Sequence, residues 1–191
     1  MGSFASPSSK LFEGLVRAVT TAYNIHRHDE ARAAAVAEAL RPFLGDPRLL
    51  SPEQQEPDPE RYRQHLLHVD SRGAFSIAAL VWLPGQGTSI HDHISWCVSG
   101  IHLGTEREEG FQLVEAPAGA YLLPGAGSTG GVGEVSALTP PGDIHRVENP
   151  GPGKAISIHV YGADLRQAGT SIRRRYELPV AARPVQRRTA A

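Results

Sequence analysis

The spacing of apolar residues changes partway along the chain. In residues 9–22, Leu11, Leu15, Val16 and Val19 recur at i, i+4, i+5 and i+8, which lays them on one face of a helix. Residues 29–43 are rich in alanine, the strongest helix former, and predict a second helix that starts near Asp29. Pro47, Ser51-Pro52 and Pro57-Asp58-Pro59 interrupt the chain, and a short helical turn is expected over residues 62–67. From Phe75 onward the period is that of strands. Residues 75–82 alternate and then run apolar, and residues 96–103, 111–114, 120–123, 132–138 and 156–161 continue the pattern, with a further short strand at 144–147. Glycine and proline punctuate the junctions, as in Pro84-Gly85 and Gly130-Gly131. Many short strands at regular spacing predict a mainly β domain, a sandwich or a jelly-roll barrel, preceded by N-terminal helices. The expected division is a helical extension over 1–60, a β domain over 61–178, and a basic, disordered tail over 179–191.

At 191 residues the chain is long enough to bury a substantial core. Its 19 basic and 20 acidic residues leave a formal net charge of −1, which argues against nucleic acid or a membrane surface as partner. The run Arg173-Arg174-Arg175 is too short to change that. One cysteine permits no internal disulfide, and neither a transmembrane-length apolar stretch nor a hydrophobic signal core is present, so a cytoplasmic protein is expected. The segment Met1-Gly2-Ser3-Phe4-Ala5-Ser6 fits an acylation pattern but reads better as a frayed, serine-rich end. The oligomeric state is left open.

Three histidines carry the chemistry. His91 and His93 stand at i, i+2 in Gly85-Gln86-Gly87-Thr88-Ser89-Ile90-His91-Asp92-His93, so a strand points both imidazoles to one face. His145 follows the turn Pro140-Pro141-Gly142 and opens another short strand. Neutral imidazole is the commonest metal-ligating side chain, and three of them leave coordination positions open, as catalysis requires. The other histidines read differently. His26 and His28 lie in a charged linker, His65 and His68 suit a surface helix at i, i+3, and His102 suits a packed strand position.

These stretches resemble the paired motifs of the cupin superfamily: a glycine, five residues and His-x-His, then Gly104, followed by Pro140-x-Gly142-x-x-His145-x-x-x-Asn149. Most cupins add a glutamate ligand shortly after the second histidine, where this chain has Cys97 and Val98. That departure, with Ser95-Trp96-Cys97 and above all Ser157-Ile158-His159-Val160-Tyr161, is similar to the bacterial thiol dioxygenases of the cysteine dioxygenase family, over residues 62–176. The resemblance implies a cupin double-stranded β-helix. It also implies an Fe(2+) site of His91, His93 and His145, at which O2 oxidises a small thiol carboxylate to its sulfinic acid.

Further roles follow from the same resemblance. Ser157, His159 and Tyr161 would form a relay that holds the phenol toward the metal. Cys97 is either a small core residue or the partner of Tyr161 in a thioether crosslink. Gln64 stands where mammalian-type enzymes place a carboxylate-binding arginine, and in relatives that prefer 3-mercaptopropionate a later arginine takes over. Arg173 or Arg174 matches that position, with Arg166 as a substitute. Cysteine and 3-mercaptopropionate both remain open as substrate. Two other classes compete: a metal-binding cupin without redox turnover that senses or binds a small molecule, and an enzyme in which Cys97 is a nucleophile paired with His159.

Overall fold

The computed structural model describes residues 10–182. The acylation-like segment at residues 1–6 and most of the tail lie outside the described residues. Two helices, α1 (Lys10–Ile25) and α2 (Asp29–Leu40), come first, and ten strands follow. The strands are β1 (Arg63–Val69), β2 (Ser76–Trp82), β3 (His91–His93), β4 (Cys97–Leu103), β5 (Thr105–Val114), β6 (Tyr121–Gly131), β7 (Val135–Leu138), β8 (His145–Glu148), β9 (Ala155–Tyr161) and β10 (Ile172–Arg175). A four-residue helix, α3 (Leu165–Ala168), precedes the last strand. They form two antiparallel sheets, ordered β1-β2-β9-β4-β7 and β10-β3-β8-β5-β6. This is the jelly-roll arrangement of a double-stranded β-helix.

The first sheet is covered on both sides, which explains why every residue of β2 and β9 is buried. Side chains alternate across a strand. Ile77, Ala79, Val81, Ile156, Ile158 and Val160 pack outward into one core with Phe12, Leu15 and Val19 of α1 and Val36 and Leu40 of α2. The other set, including Ala78, Leu80, Trp82 and Tyr161, faces the barrel interior. The buried stripe of α1 is Phe12, Leu15, Val19 and Ala22, with Leu11 and Val16 at its margin. Gly100 marks the closest approach of the helical layer: a Cβ there would lie 2.8 Å from Leu40 and Leu44 side-chain carbons.

Several segments differ from the sequence expectation. Residues 63–69 are a strand, not a helical turn, and pair with β2 from Arg63↔Val81 to Val69↔Ser76. Arg-Gln-His-Leu-Leu-His has little intrinsic β preference, so ladder pairing and cover over Leu67 outweigh propensity. His65 and His68 therefore sit on a strand. β5 and β6 extend well beyond the short apolar segments 111–114 and 120–123 into charged and glycine-rich sequence. The first residues of the tail lie against β6: the Pro179 carbonyl accepts from the Leu122 N–H at 2.8 Å, and the Ala181 N–H donates to the Leu122 carbonyl at 2.8 Å.

Candidate metal centre

Strand β3 is three residues long, and its alternation sorts its side chains. His91 and His93 face the barrel interior, while Asp92 faces out to Arg173 and Tyr176. His145 is the direct cross-strand partner of His91. The turn before it passes through Gly142 at φ +101°, a conformation that favours glycine, and delivers Asp143 beneath His93. Among the described residues, His91, His93 and His145 are the one group of three or more His, Cys, Asp or Glu side chains positioned to share an ion, with a ligand atom from each within 4.8 Å of the others. All three are buried.

Each imidazole has its Nδ1 engaged from behind. His91 Nδ1 is 2.9 Å from the Ser89 carbonyl, His93 Nδ1 is 3.0 Å from Asp143 Oδ2, and His145 Nδ1 is 2.6 Å from Glu108 Oε1. An acceptor at Nδ1 fixes the proton there and leaves Nε2 as a lone pair. His145 Nε2 is buried with no hydrogen-bond partner, which is how a metal-facing ligand atom stands. Burial, reinforced by His145, pushes His91 down to about 3. His93 is lowered by burial and by His145, against the opposing pull of Asp143. Burial alone would raise the Glu108 carboxyl, but His145 and Ser136 more than reverse this and hold it below its ordinary range. The donor set is thus three buried imidazoles, two of them backed by carboxylates and one by a backbone carbonyl, a fit for a divalent transition metal. The carboxylates were not singled out in the sequence. Asp143, two residues before His145, and Glu108, in a charged stretch of β5, carry no periodic signal of their own.

Opposite the histidines, β9 presents Ser157, His159 and Tyr161 to the interior. Ser157 Oγ is 2.8 Å from His159 Nε2, and the Tyr161 hydroxyl is 3.1 Å from His159 Nδ1. The Trp82 indole N–H donates to Ser157 Oγ at 3.2 Å. Burial, with the nearby His93 and His145, pushes His159 down to about 3, so it is neutral across the physiological range. Burial also raises the Tyr161 phenol well above its ordinary value. Cys97 is the cross-strand partner of Tyr161, and its Sγ lies 3.9 Å from His159 Nδ1. Burial drives its thiol well up, which is the reverse of what a cysteine nucleophile needs.

A cavity of about 60 Å³ lies between the histidines and this relay. Gln64 of β1 and Arg175 of β10 both line it, with Tyr62 and Trp82 as an aromatic wall whose ring centroids are 4.6 Å apart. Arg173 and Arg174, the arginines expected from the sequence, are outside its lining. Arg173 forms an ion pair with the fully buried Asp92, and Arg174 sits 4.6 Å over the Tyr176 ring. The reason is a bulge between Ile172 and Arg174, which brings Arg175 into register with His91 and so onto the interior face. Arg166 pairs with Asp164 at 2.8 Å, away from the pocket. A larger cavity of about 360 Å³ runs along Phe111, Gly125 and Gly142 and meets only the rear of the site, at Glu108, Asp143 and His145.

Among the described residues, no helix is long and apolar enough to cross a membrane. The family model for cysteine dioxygenase type I matches residues 5–173, reaching back through the helices that the sequence motifs left uncovered. Cysteine dioxygenase type 1 of Danio rerio is 24% identical over 160 residues, 83% of this chain and 79% of the relative. Among solved structures, a double-stranded β-helix protein from Klebsiella pneumoniae aligns with a TM-score of 0.47 and 16% identity, covering 62% of this chain and 92% of its own. A Cupin 2 conserved barrel protein from Salinispora arenicola aligns at 0.42 and 22%, covering 63% and 92%. The chain belongs to the cysteine dioxygenase family of cupin oxidoreductases, as a thiol dioxygenase.

Proposed function

We propose that this protein binds Fe(2+) through His91, His93 and His145 and uses O2 to convert a small thiol carboxylate, RS⁻ + O2, to the sulfinate RSO2⁻. The observation that carries this reading is the trio of buried imidazoles, each with its Nδ1 held by a separate acceptor. Iron(II), when bound there, supplies the affinity for thiolate and the redox chemistry with O2. Everything else falls to the chain. Arg175 grips the substrate carboxylate at the pocket mouth, since guanidinium matches carboxylate geometry. Gln64 offers a neutral amide to the same pocket. Tyr62 and Trp82 exclude water along one wall. Tyr161 directs a hydroxyl proton into the pocket, and Ser157 and His159 hold it in line.

The pocket favours 3-mercaptopropionate over cysteine. Cysteine brings an ammonium group, and the lining carries Arg175 but no carboxylate to receive it. Oxygen uptake with a thiol panel after anaerobic Fe(II) loading, with sulfinate detected by mass spectrometry, tests the proposal. Turnover of 3-mercaptopropionate with higher kcat/KM than cysteine is expected. Iron binding without uptake for any thiol would instead make the protein a binding or sensor cupin.

A further inference from the structure

The Ser157–His159–Tyr161 relay does not stop at Ser157. Beyond it, on β5, Glu106 is 6% exposed, and its Oε1 is buried without a hydrogen-bond partner. Its carboxyl group stands beside the Ser157 hydroxyl and the Trp82 indole, and its charge is felt at Tyr161. The titratable groups that face it are Glu108 on its own strand, His159 and Tyr161 on β9 behind Ser157, and Glu134 before β7; β2 contributes only Trp82. A second cavity of about 60 Å³ opens beside Glu106, walled also by Ser99, Ser128 and Ser136 and lined by no lysine or arginine. Ser128 is exposed, and the space is polar and large enough to hold water beside the Glu106 carboxyl group.

We propose that Glu106 sets the direction of the relay: while its carboxyl is neutral the Tyr161 hydroxyl donates into the histidine pocket, and when it ionises the Tyr161 proton turns back onto His159. This rests on the reading of Tyr161 as the pocket's hydrogen-bond donor. A serine hydroxyl has one proton to give and two lone pairs, and a neutral imidazole has one donor and one acceptor nitrogen. With Glu106 neutral, its O–H and the Trp82 N–H both donate to Ser157 Oγ, and Ser157 donates to His159 Nε2. His159 then carries its proton on Nδ1 and donates to the Tyr161 oxygen, which frees the phenolic proton for the pocket, where Ser171 stands beside it. With Glu106 ionised, Ser157 donates to the carboxylate, His159 donates from Nε2 to Ser157, and Nδ1 accepts from Tyr161. The two states differ by one proton and by the His159 tautomer: Glu106 passes its proton to Ser157, Ser157 passes its own to His159 Nε2, His159 Nδ1 passes its own to the Tyr161 oxygen, and the displaced phenolic proton leaves through the histidine pocket. Burial pushes Glu106 up to about 7, against the Ser157 hydroxyl and the Trp82 indole and with the help of Glu108. Both states are therefore populated near neutrality.

Isotope-edited infrared difference spectra of the iron-loaded full-length protein, titrated with ¹³C-glutamate and ring-labelled tyrosine, test this directly. Bands that vanish in Glu106→Gln and Tyr161→Phe assign the two groups. The expected result is a protonated Glu106 band that disappears near neutral pH, with the Tyr161 C–O band changing at the same midpoint. In Glu106→Gln the Tyr161 band should not titrate, whereas Glu106→Asp should restore the titration with a shifted midpoint. At saturating thiol, wild-type kcat should fall on the order of a hundredfold from about pH 6 to about pH 9, as the neutral fraction of one such group falls, and Glu106→Gln should flatten that limb. A merely structural glutamate would lower kcat without changing the shape of the profile. Glu106 ionised throughout the range, or a Tyr161 band that titrates unchanged in Glu106→Gln, overturns the proposal. The infrared signals need no turnover, so failure of the thiol dioxygenase reading would appear separately, as absent sulfinate.

Discussion

The three histidines differ in what holds them. His91 rests on a backbone carbonyl, which no substitution removes, whereas His93 and His145 depend on the Asp143 and Glu108 carboxylates. Outer partners of this kind typically contribute about 10- to 100-fold in metal affinity. Glu108→Gln should therefore weaken iron binding by roughly that factor while the fold survives. Competition against a calibrated chelator measures it, and unchanged affinity would remove Glu108 from the site. Glu106 gives a different signature. Its ordinary value is 4.5 and its folded value about 7, so across that window the folded protein holds a proton that the unfolded chain has released. Stability contributed by this proton is fully present below pH 4.5 and is lost as pH rises toward 7, a change of up to about 3 kcal/mol. Glu106→Gln should lack this decline, and thermal melts of both proteins across the window should diverge as pH rises. Parallel curves would mean that Glu106 is not held neutral.

At the scale of elements, β10 is the strand on which sequence and structure part most usefully. Ile-Arg-Arg-Arg has no apolar alternation, so neither the strand nor its inward arginine was legible. The bulge that selects Arg175 depends on pairing with β3, and the buried Asp92 that claims Arg173 is visible only once β3 has a face. β1 was lost for a related reason, because its partner β2 supplies what its own residues lack. By contrast, the histidine motifs, the alternating Ser157, His159 and Tyr161, and the strongly apolar strands were legible, since each signal lies within a few consecutive residues. The consequence for the arginines is testable. Arg175→Ala should raise KM for a thiol carboxylate roughly 10- to 100-fold, the scale of a lost charge-assisted hydrogen bond, with thermal stability unchanged. Arg173→Ala should do the reverse, lowering Tm by leaving the buried Asp92 without its cation, held by the Tyr176 hydroxyl, while altering KM little. Steady-state kinetics and melting of the two variants side by side settle the assignment. A raised KM in Arg173→Ala alone would return the carboxylate site to that residue.

The whole molecule keeps its fold energy and its chemistry in different layers. Helices α1 and α2 cover one face of the first sheet with an apolar core, while the opposite face of the same sheet carries the relay. Leu40 lies in that outer core and is fully buried. Leu40→Ala should cost about 2–5 kcal/mol of stability, as large-to-small core substitutions do, with iron content per folded molecule and kcat at low temperature near wild type. Loss of iron at full folding would show the two layers to be coupled. Dioxygenation of a thiol at His91, His93 and His145 requires that both sulfinate oxygens come from O2. Single-turnover oxidation of 3-mercaptopropionate under ¹⁸O2 measures this most directly. The expected product is a sulfinate with both oxygens labelled, formed by wild type and absent in His145→Ala. A sulfinate with oxygen drawn from water, or equal yield from His145→Ala, would contradict it.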